Sequence, residues 1–195
     1  MQEIKAEDDT AIIAEVLGGN REAYAGIVRR YEGRVRGHCL MMLGDPVQAD
    51  DAAQEVFIKV YLSLGQFSGR SAFSTWLYRV TANHCHDWLR KTGRRRTESW
   101  EALLEKDGDK IEALLAVPSP GADAVERNEL LAHILSCLPV QSRTILLLRE
   151  QEGLSYEEMA KVLECSVDAV KSRLKRARQE LGGKLRHFLK AETSN

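Results

Sequence analysis

Basic and polar side chains cluster on one predicted helix near the C-terminus, where they could bind nucleic acid. Val167, Val170, Leu174, Ala177 and Leu181 recur at spacings of three and four, which predicts an α-helix with one buried stripe. The opposite face and its flanks carry the polar residues Asp168, Lys171, Ser172, Arg173, Lys175, Arg176 and Gln179. Lys and Arg donate hydrogen bonds to phosphates and to guanine, and a serine hydroxyl can reach either a base or a phosphate. This face is therefore predicted to contact DNA.

The residues that precede this helix predict a helix-turn-helix. Ser155 and Glu158 form the S-x-x-E pattern of a capping box, so a short first helix is expected at 156–163. The segment 164–166 is a three-residue turn, and Ser166 can cap the second helix. A short helix, a tight turn and a basic-faced helix are typical of the motif whose second helix enters the major groove. An ordinary helical hairpin is the alternative.

A second polar face is predicted on a helix at 72–91. Polar residues recur there at spacings of four, four, three and four, opposite the apolar face: Thr75, Arg79, Asn83, His86 and Arg90. The basic side chains can hold phosphates, and the amide of Asn83 both donates and accepts, so it can read a base edge. An unstacked base could be captured where the preceding loop meets this helix, at Phe67, Ser68, Arg70 and Phe73. Helical spacing favours the core as the alternative for Phe73 and Trp76.

A helix at 47–64 presents a face suited to a protein partner. Its predicted outward residues are Asp51, Gln54, Glu55 and Ile58. An exposed isoleucine among polar groups suits a protein contact better than it suits bare solvent. We therefore expect this face to bind another protein.

The charge is distributed in a way that the overall net charge of −1 conceals. Residues 70–96 carry a net +6, residues 171–190 carry +7, and residues 98–130 between them carry −6. Two separate basic surfaces suit two contacts on one polyanion. The alternative is two solvated faces, because Lys and Arg are generally exposed.

The fold predicted around these surfaces is all-α, with two small helical domains. Apolar residues recur at three and four along most of the chain, and no sustained alternation of period two occurs. A four-helix domain at 1–96 and a helix-turn-helix domain at 124–195 are joined by a flexible acidic linker at 97–123. The helices expected outside the helix-turn-helix are one ending at Gly18, then 20–43, 47–64, 72–91, 124–138 and 140–150, with a short one at 111–116.

Several classes of function are not supported by the sequence. We expect no catalytic residues and no cofactor, since there is no glycine-rich phosphate loop and no nucleophile with a base at meaningful spacing. The segment His84-Cys85-His86 invites a metal interpretation, but adjacent helical residues point apart and no C-x-x-C pair occurs, so no metal is expected. No signal peptide or membrane-spanning run is visible, which predicts a cytoplasmic protein whose four cysteines are free thiols.

Four motifs in this order resemble those of the extracytoplasmic-function sigma factors of bacterial RNA polymerase. Residues 50–61 (DDAAQEVFIKVY) resemble the helix that binds core polymerase, and residues 73–83 (FSTWLYRVTAN) resemble the −10 recognition helix. Leu138-Pro139, residues 148–150 (LRE) and residues 153–160 (GLSYEEMA) resemble the opening of the −35-binding domain, and residues 170–178 resemble its closing part. The family often has Gly-Thr where Asp168-Ala169 stands here, and Arg is common in place of Lys171, which leaves the −35 sequence preference open.

The resemblance implies a site map and a set of partners. The residues assigned to the β and β′ subunits of core polymerase are Asp50, Asp51, Gln54, Glu55, Ile58 and Lys59. Those assigned to −10 DNA are Ser68, Arg70, Phe73, Thr75, Arg79, Asn83 and Arg90. Those assigned to −35 DNA are Arg149, Asp168, Lys171, Ser172, Arg173, Lys175 and Arg176.

The resemblance also implies a function under control by a second protein. An alternative sigma factor of this kind initiates transcription of a stress or envelope regulon. An anti-sigma factor, often tethered to the membrane, is expected to wedge between the two domains. The alternative function is a stand-alone helix-turn-helix regulator, which would bind a promoter without polymerase.

Overall fold

The computed structural model describes residues 6–92, Leu103 and residues 124–192, and these residues contain helices and no strand. The α-helices are α1 (Ala6–Leu17), α2 (Tyr24–Leu43), α3 (Pro46–Ser63), α4 (Phe73–Lys91), α5 (Ala124–Ser136), α6 (Val140–Leu146), α7 (Tyr156–Val162) and α8 (Val167–Glu192). Two short 3₁₀ turns, Arg21–Ala23 and Leu64–Gln66, and one π-helical turn, Leu147–Gln151, adjoin them. The all-α prediction is confirmed. The helix expected at 111–116 and nearly all of the linker lie outside the described residues.

Local sequence explains the sharp junction between α2 and α3. Gly44 ends α2 in the left-handed region at φ +72°, which a residue without a Cβ adopts at little cost. Asp45 then caps α3, because its carboxylate accepts from the backbone N–H groups of Val47 and Gln48 at 3.0 and 3.1 Å. Pro46 follows at a position where no N–H is needed.

Two expected boundaries are wrong. Asn20 does not cap α2: its amide donates to Glu15 at 3.1 Å, and the turn Arg21–Ala23 delays the start of α2 to Tyr24. The helix that begins at Val140 also does not remain α-helical to residue 150, since its last residues form the π-helical turn.

Helices α1–α4 enclose the first core. Ile27, Tyr31 and Val35 of α2 pack against Val56 and Val60 of α3 and against Leu77 of α4, and all of them are almost completely excluded from water. Asp9 holds α1 in place, because it accepts from the hydroxyl of Tyr31 at 2.6 Å and from the guanidinium of Arg30 at 2.5 Å.

Helices α6–α8 enclose a second core, in which Leu138, Ile145, Leu148 and Met159 meet Val170, Leu174 and Ala177 of α8. A third, smaller cluster joins Leu103 of the expected linker segment to Leu130, Ile134 and Cys137. Leu103 is buried there, where it packs on α5 and on the partly buried Leu181 and Leu185 of α8. The predicted architecture of two helical domains is confirmed.

The two domains pack directly on each other. α5 lies along α2, and α7 lies against α4. Tyr78 of α4 is buried within the second core, and Leu147 is buried within the first, so each core includes a side chain from the other domain. The space expected for a wedged partner is therefore occupied by protein in this arrangement.

A buried arginine holds the junction between the domains. The guanidinium of Arg143 donates to the carbonyl of Met42 in α2, and also to the carbonyls of Ser136 and Leu138 at 2.9 and 3.2 Å. These carbonyls lie at the C-terminal ends of α2 and α5, where the helix dipole favours a cation. Arg143 thus satisfies helix-end carbonyls that water cannot reach.

We predict that Arg143→Leu lowers the free energy of unfolding by about 3 kcal/mol, because buried carbonyls lose a charged donor. The matched control is Arg36→Leu. Arg36 pairs with Asp50 at an exposed site, and exposed ion pairs are worth about 1 kcal/mol or less. Urea denaturation followed by circular dichroism measures the free energy of unfolding of both variants. Equal losses for the two variants would contradict the role assigned to Arg143.

Candidate nucleic-acid interface

Helix α8 presents the predicted basic face to solvent. Val170, Leu174 and Ala177 are buried, and Val167 and Leu181 are half-buried, so the apolar stripe is confirmed. The exposed side chains on the rest of the helix are Asp168, Lys171, Ser172, Arg173, Lys175, Arg176 and Gln179. Burial of one stripe thereby fixes which side chains of α8 face solvent.

The helix-turn-helix forms as the pattern predicts. The hydroxyl of Ser155 accepts from the backbone N–H of Glu158 at 3.2 Å, and the carboxylate of Glu158 accepts from the N–H of Ser155 at 2.8 Å. Glu164 adopts φ +50° in the turn, and the hydroxyl of Ser166 accepts from the N–H of Ala169 at 3.2 Å. This geometry is that of a helix-turn-helix and not of an ordinary helical hairpin.

Some of the cations near α8 already have partners within the chain. Arg149 donates to the carbonyl of Leu154 at 2.7 Å and lies 5.1 Å from the ring centre of Tyr156, so it supports the loop before α7. Arg178 pairs with Glu150 at 2.6 Å. The predicted −35 contact at Arg149 would compete with these internal contacts, whereas Arg173, Lys175 and Arg176 stand on the exposed face.

Helix α4 displays only part of its predicted polar face. Asn83 and Arg90 are exposed. Thr75 was expected to point outward but is only 2% exposed, because α7 covers it and Glu158 accepts its hydroxyl at 3.1 Å. Arg79 lies 3.9 Å from the carboxylate of Glu164 in the helix-turn-helix. The expectation for Thr75 was wrong because helical periodicity does not reveal what the second domain covers.

The loop before α4 combines exposed polar residues with a buried aromatic cluster. Ser68 and Arg70 are exposed, and Gly69 allows the turn between them with φ +70°. Phe73 is buried, with ring-centre distances of 5.6 Å to Tyr31, 5.5 Å to Phe67 and 5.7 Å to Trp76. Phe73 is therefore a core residue, as the alternative predicted, and its ring is not exposed for stacking on a base.

Helix α3 carries an exposed apolar stripe that is longer than its sequence pattern predicted. Ile58 is 59% exposed, and Val47 and Leu62 are exposed by 72% and 76%. The predicted polar residues Asp51, Gln54, Glu55 and Lys59 surround Ile58 and are exposed as well. Val47 and Leu62 were missed, although their spacing to Asp51 and Ile58 is four residues, which places all of them on one helical face.

Two predicted residues of α3 also make contacts within the domain. Lys59 Nζ donates to Nδ1 of His84 on α4 at 2.6 Å, and Glu55 lies 3.7 Å from the other ring nitrogen. Burial lowers the pKa of His84, and the ammonium of Lys59 lowers it further, so the ring is neutral and accepts this bond. Asp50 pairs with Arg36, whose hydrogen bond lowers the pKa of the Asp50 carboxyl.

Among the described residues, no cluster of three or more candidate metal ligands occurs. Cys39 and Cys85 are buried with sulfur atoms 3.8 Å apart, Cys137 is buried, and Cys165 is half-buried. The hydrogen bond to Cys39 and burial raise the pKa of the Cys85 thiol, which keeps it protonated and unreactive.

The fold and its surfaces define a two-domain helical protein with a helix-turn-helix and a separate exposed apolar face on α3. Family models match it as sigma-70 region 2 over residues 27–95 and as sigma-70 region 4 over residues 128–181. In the described residues, no helix is both long and apolar enough to cross a membrane.

Characterised proteins of similar sequence belong to the same family. The chain is 38% identical over 190 residues to the RNA polymerase sigma-H factor of Pseudomonas aeruginosa, covering 94% of this chain and 97% of that one. It is 33% identical over 187 residues to the ECF RNA polymerase sigma-E factor of Escherichia coli, covering 93% and 96%. The chain therefore belongs to the sigma-70 family, as an alternative sigma factor of its extracytoplasmic-function branch.

Solved structures share the fold. CnrH in complex with the cytosolic domain of CnrY superposes with a TM-score of 0.64 at 25% identity, covering 96% of this chain and 99% of CnrH. The sigma factor RpoE of Bartonella quintana, in complex with the anti-sigma factor NepR, gives a TM-score of 0.60 at 23% identity, covering 86% and 96%.

We predict that Cys165 reacts with a thiol reagent in the folded protein, and that Cys39, Cys85 and Cys137 react only after unfolding, because burial excludes the reagent. Mass spectrometry after timed alkylation, with and without urea, identifies each modified residue. Rapid modification of Cys39 or Cys85 without urea would contradict the packing described for the first core.

Proposed function

We propose that this chain binds core RNA polymerase and directs it to promoters, with α8 at the −35 element and α4 at the −10 element. The observation that carries this proposal is α8, where burial of Val170, Leu174 and Ala177 leaves a face of basic and hydroxyl side chains exposed. That face has the donors required to contact guanine edges and phosphates in the major groove. The nucleotidyl transfer itself belongs to the polymerase.

The polymerase contact is assigned to the exposed face of α3. Val47, Ile58 and Leu62 form an apolar stripe with a polar surround, which is the composition of a protein interface. The core-binding residues are Asp50, Asp51, Gln54, Glu55, Ile58 and Lys59, to which we add Val47 and Leu62. Contacts within the domain also orient this face. Arg36 pairs with Asp50, and His84 lies between Glu55 and Lys59.

The −10 contact is assigned to Ser68, Arg70, Arg79, Asn83 and Arg90. Asn83 has both a donor and an acceptor and stands exposed on α4, so it is the residue best suited to read a base. The domain limits that we propose are 1–96 for the polymerase and −10 domain and 124–195 for the −35 domain. A chain with these two partners would act in the bacterial cytoplasm.

An anti-sigma factor is the proposed regulator. The two structural neighbours are described in complex with CnrY and with the anti-sigma factor NepR. Because the two domains already touch in this chain, such a partner would bind across their outer surface rather than between them. An anti-sigma factor that covered the apolar stripe of α3 would compete with core polymerase for this face. The genes under control are proposed to serve a stress or envelope response.

Run-off transcription with purified core polymerase and a promoter library tests the proposed function. The expected result is a set of transcripts that appears only when this chain is added, with start points set by upstream sequence. Promoter binding by the chain alone, with no new transcripts from the holoenzyme, would instead identify a stand-alone regulator.

We predict that Asp51→Arg with Gln54→Ala, and separately Ile58→Glu, weaken association with core polymerase while circular dichroism stays unchanged. The reason is that these side chains are exposed on the proposed interface and support no core. Glu32→Arg, a charge reversal at an exposed position of α2, is the matched control and should bind normally. If the α3 variants co-purify with core polymerase as well as the unaltered chain does, the assignment of this face to polymerase is wrong.

We predict that the two DNA contacts are separable. Lys171→Ala and Arg176→Ala should weaken preference at −35 bases, and Asn83→Ala should weaken it at −10 bases, each by about 1–3 kcal/mol. Arg21→Ala, which changes an exposed cation in the turn before α2, is the control. Promoter scans of each holoenzyme measure the preferences. The domain assignment fails if both sets of variants lose discrimination at the same bases.

A further inference from the structure

A buried histidine lies next to the face of α3 that is proposed to bind polymerase. His84 of α4 is only 4% exposed, and its ring packs edge to face on Trp88 with 5.8 Å between the ring centres. The indole of Trp88 in turn donates to Gln48 of α3 at 3.2 Å. The ring of His84 is therefore held at the junction of α3 and α4.

Two charged side chains of α3 lie against this ring. The ammonium of Lys59 donates to Nδ1 of His84 at 2.6 Å, and a carboxylate oxygen of Glu55 lies 3.7 Å from Nε2. Lys59 and Glu55 are four residues apart, so they share one side of α3 with a single turn between them, and the exposed Ile58 belongs to that turn. One imidazole thus meets both charges that border the apolar stripe of α3.

The hydrogen bond from Lys59 fixes the protonation state of the ring. An ammonium group can only donate, so Nδ1 must be an unprotonated acceptor and the proton of the neutral ring lies on Nε2. Burial lowers the pKa of His84 most, and the ammonium of Lys59 lowers it further. The other charged groups that act on the ring are Glu55, Asp87 and Lys91, and together they do not reverse this direction. The ring is therefore neutral at neutral pH.

The neutral ring is not fully satisfied. Nε2 of His84 is buried and has no hydrogen-bond partner in the part of the chain that the structure describes. The carboxylate of Glu55, at 3.7 Å, is too far away for a hydrogen bond. Protonation of Nδ1 would break the bond to Lys59, because two donors would then face each other, and the imidazolium would attract Glu55. Both charges on α3 would leave the positions that they hold beside the neutral ring.

We propose that His84 is a positioning residue of the polymerase-binding face, and that its protonation weakens the association of this chain with core polymerase. The inference rests on the proposed assignment of that face to α3. The neutral ring immobilises Lys59 before polymerase arrives, which lowers the entropy cost of forming the interface. With the ring protonated, Lys59 is mobile and must be ordered on binding. The affinity for polymerase therefore falls as the pH falls.

The same group makes the stability of the fold depend on pH. The folded chain binds a proton at His84 less readily than the unfolded chain, in which the pKa of the imidazole is the ordinary 6.5. The stability that the neutral ring contributes is complete above this value and is lost as the pH falls below it. Circular dichroism at each pH must therefore accompany the binding measurement, so that loss of binding is not confused with unfolding.

Three substitutions separate positioning from packing. In His84→Asn the amide oxygen takes the place of Nδ1, so it can accept from Lys59 but does not titrate. In His84→Leu an apolar side chain replaces the ring and has no acceptor. His86→Gln is the matched control, because His86 lies on the same helix but its ring is hydrogen-bonded to Thr144 at 2.7 Å and not to α3.

Fluorescence anisotropy of the labelled chain with purified core polymerase measures the dissociation constant at about pH 8 and about pH 5, on either side of the range in which histidine titrates. Relative to His84→Asn at each pH, the affinity of the unaltered chain and of His86→Gln should fall by roughly three- to tenfold, which is the cost of ordering one long side chain. At about pH 8, His84→Asn should bind like the unaltered chain, and His84→Leu should bind more weakly.

The inference is overturned if His84→Asn shows the same pH dependence as the unaltered chain, or if His84→Leu binds as tightly as His84→Asn at about pH 8. For a variant that does not fold, nuclear magnetic resonance of the unaltered chain with ¹⁵N-labelled histidine decides. Neutral His84 must carry its proton on Nε2 and must titrate over the pH range in which the affinity falls. A proton on Nδ1, or a titration outside that range, overturns the inference.

The Ile58→Glu variant distinguishes this inference from the function on which it rests. If Ile58→Glu binds core polymerase normally, the assignment of α3 is wrong and the inference fails with it. If Ile58→Glu loses binding while the pH dependence is the same with and without His84, the inference alone fails.

Discussion

The buried guanidinium of Arg143 is the interaction on which the arrangement of the two domains depends. A charge removed from water costs several kcal/mol unless hydrogen bonds replace its hydration. Here the replacement comes from carbonyls at the ends of α2 and α5, one in each domain. The hydrogen bond to Met42 therefore forms only when the domains are together, and this carbonyl at the end of α2 receives its charged donor from the other domain.

The other contacts between the two domains follow from the junction at Arg143. With α5 and α6 placed against α2, the π-helical turn inserts Leu147 into the first core and brings Glu152 to His38. α7 then reaches α4, where Tyr78 fills the second core. An interface that shares core residues behaves more like the interior of one domain than like a transient contact.

The sequence predicted those features that depend on local periodicity. The buried stripe of α8 and the capping box of Ser155 and Glu158 arise from residues three or four apart, so one helix contains all the necessary information. The helix-turn-helix and the exposed faces of α3 and α8 could be derived for that reason. The positions of Asn83 and Arg90 on the outer face of α4 follow from the same rule.

The features that were missed depend on pairs distant in sequence. Thr75 is buried by a residue 83 positions away, and His38 meets a carboxylate 114 positions away. No helical pattern marks Arg143 as a core residue, because arginine is ordinarily exposed and its hydrogen bonds to Met42, Ser136 and Leu138 go to backbone carbonyls. Asn20 failed as a cap for a local reason: its amide nitrogen donates to Glu15 of α1, and its side chain makes no capping hydrogen bond.

The central claim is that one chain carries two DNA-reading surfaces that engage different promoter elements once polymerase is bound. Site-specific photo-crosslinking tests it most directly, with a photoreactive amino acid placed at Gln179 on α8 or at Lys91 at the end of α4. In the holoenzyme on its promoter, the probe at Gln179 should crosslink near the −35 element and the probe at Lys91 near the −10 element, and neither should crosslink efficiently without polymerase. Crosslinks from both probes to the same bases, or equally strong crosslinks from the free chain, would contradict the account.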